Sequence, residues 1–114
     1  AIGTAHGLYK GEPKLDFPRL IAIRKATSVP LVLHGGTGVP DDTVRRAIEL
    51  GICKLNVGTE LRVAYTSSVS RALVDRKFRD PRPLLSIART AIAGVVQDKI
   101  RLCGASGKAR AIPW

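Results

Sequence analysis

VPLVLHGGTGVPDD (residues 29–42) passes from an unbroken apolar run into a glycine-rich loop and then into an acidic helix start. Val29 to Leu33 does not alternate apolar with polar residues, which is how a strand covered on both faces of a parallel sheet reads. Gly35, Gly36 and Gly38 loosen the chain after it. Pro40, Asp41 and Asp42 then open a helix in which Val44, Ala47 and Ile48 follow at helical spacing and which Gly51 can end. A further strand is predicted over Ile52–Val57. Upstream, AIGTAHG (1–7) reads as the end of a strand over residues 1–5. His6, His34 and Asn56 therefore stand at three strand ends, at spacings that fit right-handed βα units. A chain with this alternation and no hairpin signal belongs to the α/β class.

The remaining segments read as helices and punctuation. Gly7 to Leu15 is a polar loop with Gly11 and Pro13 as breakers. Asp16 caps a helix that carries Pro18 in its first turn and Phe17, Leu20 and Ile21 on one face, ending before Ser28. Leu61, Ala64, Tyr65, Ala72 and Leu73 predict an amphipathic helix over 60–77, and Asp80, Pro81, Arg82 and Pro83 break it. Leu84, Ile87, Ala88, Ala91, Ile92, Val95 and Val96 predict a last helix. Residues 1–103 read as one unit and GASGKARAIPW (104–114) as a mobile tail.

The chain has 114 residues, of which 45% are apolar and 25% charged, so it suits one small globular domain rather than a disordered segment. A complete eight-unit βα barrel needs about 250 residues, and the first residues already lie inside a strand. The expectation is the C-terminal part of a larger protein.

Nineteen Lys and Arg against nine Asp and Glu give a net charge of +10, which raises the question of a polyanionic partner. The basic residues are scattered, aromatics are only 4%, and no nucleic-acid motif is present, so nucleic acid is not expected. Cys53 and Cys103 lack CxxC spacing and read as buried, reduced thiols of a cytoplasmic protein. No apolar run approaches the length of a membrane span, and no membrane partner is expected.

Neutral imidazole is a common zinc ligand, and a catalytic zinc takes three protein ligands plus an open position. His6 and His34 could supply two of them from neighbouring strand ends. Taken separately, each reads equally as a ligand or as a hydrogen-bonded structural histidine. HGGTG (34–38) can present backbone N–H groups to an anion, helped by the dipole of the helix that starts near Asp41, or it can be a plain turn. Asn56 can donate to a substrate oxygen, and Gly58 and Thr59 can contact phosphate. Arg62 and Arg82 are candidate phosphate clamps. Glu60 fits an acid or base, or a carboxylate that favours a helix start.

GTAHGLYKG (3–11), VPLVLHGGTGVPDD (29–42), GICKLNVGTELR (51–62), DPR (80–82) and CGASGKA (103–109) together resemble the C-terminal portion of the class II, zinc-dependent ketose-bisphosphate aldolases. The family includes fructose-1,6-bisphosphate and tagatose-1,6-bisphosphate aldolases. The resemblance stops only at RAIPW (110–114). It implies about three βα units plus terminal helices of a TIM (β/α)8 barrel. It also implies reversible cleavage of a ketose 1,6-bisphosphate to dihydroxyacetone phosphate and glyceraldehyde 3-phosphate, with Zn2+ stabilising an enediolate and no Schiff-base lysine.

By the same resemblance His6 and His34 are zinc ligands, and Gly7, Gly35, Gly36 and Thr37 contact dihydroxyacetone phosphate. Asn56, Val57, Gly58 and Thr59 complete that pocket, with Asn56 in a catalytic role. Arg62 matches a position that in some members reaches the far phosphate from the neighbouring subunit, and Asp80 and Arg82 a segment near the sugar's distal end. The full-length protein is expected to be a cytoplasmic homodimer or homotetramer. The family's third zinc histidine and its catalytic aspartate lie upstream of these residues, so the 114 residues alone are expected to be inactive. Gly58 leans toward a tagatose-type member and HGGTG toward a fructose-type one. The competing reading is a non-catalytic assembly partner or degenerate aldolase segment that keeps the fold.

Overall fold

Asp16 accepts a hydrogen bond from the Arg19 backbone N–H at 2.9 Å and caps α1 (Phe17–Ala26) in the computed structural model, which describes residues 1–4, 13–75 and 78–109. Leu20 on α1 is fully buried, and Phe17 and Ile23 pack against the same cluster. Ile21, expected on that face, is 38% exposed, because the inward positions recur as 17, 20 and 23.

β1 (Leu31–Leu33) starts two residues later than the apolar run, since Pro30 has no N–H to give to a ladder. α2 (Asp41–Glu49) carries the chain back, and β2 (Ile52–Leu55) pairs parallel with β1 through Leu31 with Ile52, Val32 with Lys54 and Leu33 with Leu55. The register shifts between Leu31 and Val32. Burial on both faces does not hold: Leu33 is buried, but Val32 is 45% exposed. Cys53 is also exposed, against the expectation of a buried thiol.

The strand expected over 1–5 is not formed by residues 1–4, and Ala5 lies outside the described residues. The Ile2 carbonyl accepts from the Asp16 N–H at 2.9 Å, and the backbone turns at Gly3, where φ is +105°. A Cβ at Gly3 would run into the Lys14 carbonyl oxygen. Ile2 still enters the core with Leu20, Leu33, Ala47 and Ile52. The apolar side chain is thus used as the sequence suggests, while the backbone bonds to a loop instead of a strand.

α3 (Thr59–Asp75) and α4 (Pro81–Leu102) pack against each other. α4 begins inside the segment read as a breaker: Asp80 is its N-cap and accepts from the Arg82 N–H at 2.9 Å. Pro81 and Pro83 fall in the first turn, where the N–H that proline lacks has no helical partner. At the other end the Ala105 N–H reaches the Ile100 carbonyl and the Gly104 N–H reaches that of Arg101, both at 3.0 Å. With Gly104 at φ +63°, this is a Schellman stop. Leu102 joins Val39 and Val44 in a second buried cluster that ties α4 to α2.

The result is an α/β fold with a two-stranded parallel sheet and four helices among the described residues. It is a slab of 56 × 44 × 19 Å with a radius of gyration of 17.5 Å. A compact domain of 100 residues has about 13 Å.

Candidate active site

Parallel pairing puts the C-terminal ends of β1 and β2 at one edge, so His34 and Asn56 leave the sheet side by side. The Asn56 N–H donates to the Leu33 carbonyl at 3.0 Å and fixes that edge one residue past the ladder. Gly35 and Gly38 then take positive φ values of 67° and 79°, and the Val39 N–H closes the loop onto the Gly36 carbonyl at 3.3 Å. Gly36 is buried, and a Cβ there would lie 2.8 Å from Leu55 Cδ1. The loop can therefore sit close over the end of β2 only with glycine at 36.

At this edge an open cavity of about 370 Å³ is lined by His34, Gly35, Thr37, Asn56, Val57, Gly58, Thr59 and Arg62. Eight residues singled out in the sequence thus meet in one place. Gly36 supports the loop from beneath without lining the cavity. His6 and Gly7 lie outside the described residues.

α3 begins at Thr59, so its N-terminal N–H groups and the positive end of its dipole belong to the cavity wall. The Arg62 N–H closes the first turn on the Gly58 carbonyl at 3.2 Å. A Cβ at Gly58 would stand 3.7 Å from Arg62 Nη2, so the guanidinium lies over Gly58. Among the described residues no carboxylate pairs with Arg62, which is exposed. Arg62 borders the cavity of its own chain. At the start of α2, Asp41 and Asp42 occupy the first turn and offset the dipole there, in keeping with a weaker contribution from this helix.

Two other candidates lie elsewhere. Arg82 is engaged by Asp80, with Nη2 to Oδ2 at 2.6 Å and Nε to Oδ2 at 2.8 Å, at the start of α4. The Arg82 side chain and backbone N–H hold the Asp80 carboxyl below its ordinary value of 3.8. Because the folded value is the lower one, the cap contributes fully above about pH 4. It is lost as pH falls through the depressed titration. Acidification should therefore fray the first turn of α4 before the rest of the helix, seen as a fall in the exchange protection of the Arg82 amide relative to its intrinsic rate at each pH; protection indifferent to pH would contradict this.

Glu60 faces away from the His34 cavity, with Oε2 2.8 Å from Lys99 Nζ on α4. Lys99 carried no signal in the sequence, because nothing local marks a lysine as the partner of a distant carboxylate. Among the described residues no group of three His, Cys, Asp or Glu side chains gathers as a metal site. His34 stands exposed at the cavity, an imidazole of the type zinc takes as a ligand.

The family model for class-II fructose-bisphosphate aldolase matches residues 1–108. The chain belongs to this family. Among solved aldolase structures, it is similar to the YdjI aldolase of Escherichia coli K12, with 42% identity and a TM-score of 0.86, over 96% of this chain and 40% of that one. It is also similar to a Coccidioides immitis protein assigned as a fructose-1,6-biphosphate aldolase, with 27% identity and a TM-score of 0.78, over 95% of this chain and 38% of that one. The chain thus spans about two fifths of the length of these aldolases. Among the described residues no helix is long and apolar enough to cross a membrane.

Proposed function

We propose that this chain forms part of the active site of a class II aldolase that reversibly cleaves a ketose 1,6-bisphosphate, of fructose or tagatose type, into dihydroxyacetone phosphate and glyceraldehyde 3-phosphate. The observation that carries this reading is the single cavity shared by His34, the glycine loop, Asn56 and the start of α3. The fold is then the C-terminal part of a TIM (β/α)8 barrel, in which catalytic groups cluster at the C-terminal ends of the strands. The full-length protein is a cytoplasmic homodimer or homotetramer, and the 114 residues alone are inactive.

In this reading the backbone N–H groups of Gly35, Gly36 and Thr37, with Gly7, cradle the phosphate of dihydroxyacetone phosphate. Val57, Gly58 and Thr59 bring the N-terminal end of α3 to the same phosphate, and Arg62 adds a planar pair of donors. The Asn56 side-chain amide donates to the substrate oxygen that gains charge as the carbon–carbon bond breaks, which makes it the catalytic residue of this set. His34 and His6 would hold Zn2+ together with a third ligand from outside this sequence. When bound, Zn2+ supplies Lewis-acid polarisation of the substrate ketone.

The decisive experiment is metal removal from the full-length protein. Cleavage of the ketose bisphosphate should disappear with a chelator and return with added zinc. Activity indifferent to the chelator would overturn the metal part of the reading.

A further inference from the structure

Behind the wall formed by the start of α3 lies a second cavity of about 450 Å³, between α2, α3 and α4. It is lined by three carboxylates, Asp41, Glu60 and Asp98, and three cations, Arg45, Lys99 and Arg101. Its charges therefore balance. Within it Glu60 is the carboxylate nearest the candidate active site in sequence, one residue after Thr59.

The Glu60–Lys99 pair differs from the other ion pairs of the described residues. Lys99 is 21% exposed and Glu60 27%, whereas in the other four pairs both members are at least 41% exposed. The other four join residues two or three apart, and this one joins α3 to α4. Lys99 also lines a separate, mostly apolar cavity to which Asn56 and Val57 contribute, so it lies one cavity away from the candidate site without lining it.

A carboxylate in the first turn of α3 favours the helix, but its negative charge opposes an anion held at the same helix end. We infer that Lys99 is a positioning residue for the anion site, which keeps the Glu60 carboxylate neutralised and turned away from the start of α3. The inference rests on the reading of the His34 cavity as a phosphate site. Lys99 does not touch the substrate; it sets the field and the placement of Gly58, Thr59 and Arg62, which do.

The test is binding of inorganic phosphate to the full-length wild-type protein and to the K99M, E60Q and E60Q/K99M variants, at low and high salt. Phosphate binding by the wild type establishes the site independently of the pair, and its absence would remove the phosphate reading and this inference with it. Given wild-type binding, K99M should weaken it about fivefold at low salt, and the loss should shrink as salt shortens the Debye length. E60Q/K99M should return to within about twofold of wild type, because the exposed charge is gone. E60Q alone should bind phosphate at least as well as wild type. Unchanged affinity in K99M would overturn the inference. So would equal, salt-independent losses in K99M and the double variant, since these would mark the pair as packing only.

Discussion

Replacing His34 with alanine in the full-length protein should lower bound zinc to less than one equivalent and reduce ketose-bisphosphate cleavage by at least about a hundredfold. His34 leaves β1 at the edge where Asn56 leaves β2, and the Asn56 N–H bond to the Leu33 carbonyl at 3.0 Å holds the two strand ends together. His34 is exposed at the cavity and is not a member of either buried cluster, so the loss should fall on metal and activity more than on the fold. Metal analysis beside a melting curve separates the two effects. Full zinc occupancy in the variant would remove His34 from the ligand set.

Leu20→Ala should act in the opposite way, on stability and not on chemistry. Leu20 is 1% exposed and packs in the cluster of Ile2, Leu33, Ala47 and Ile52, which joins α1 to both strands. Removing its isobutyl end should cost about 3 kcal/mol, from lost burial plus the cavity left behind. Domains of this class hold about 5–15 kcal/mol in total, so the loss is a large share. Denaturant titration of the full-length protein measures it. A loss below about 1 kcal/mol would show that the cluster collapses around the gap or contributes little.

Much of the candidate site was legible because its residues are local. HGGTG and NVGTELR each place several functional groups within a few positions, and the parallel pairing then needs only to bring two strand ends together. The helix α2 was legible for a similar reason, with Asp41 and Asp42 in its first turn and Gly51 beyond its end. The misreadings have specific causes. Pro81 and Pro83 read as breakers, yet in a first turn a missing N–H costs nothing, so α4 starts there. The apolar run at 29–33 signals burial but not where a proline ends the ladder or which face is covered. Ile2 shows that apolar character fixes burial of a side chain without fixing the partner of its backbone. The Glu60–Lys99 pair depends on how α3 and α4 pack, and no local pattern carries that information.

The slab shape has a consequence for denaturation. The chain exposes 8542 Å² in its folded form, whereas a compact chain of 12.2 kDa exposes about 6,000 Å². Unfolding therefore uncovers about a fifth less new surface than for a compact chain of this mass. The denaturant m-value and the heat-capacity increment both scale with that surface. On its own the slab would melt over a wider urea range and along a flatter stability curve than its length suggests, and burying the bare face of the sheet would sharpen both.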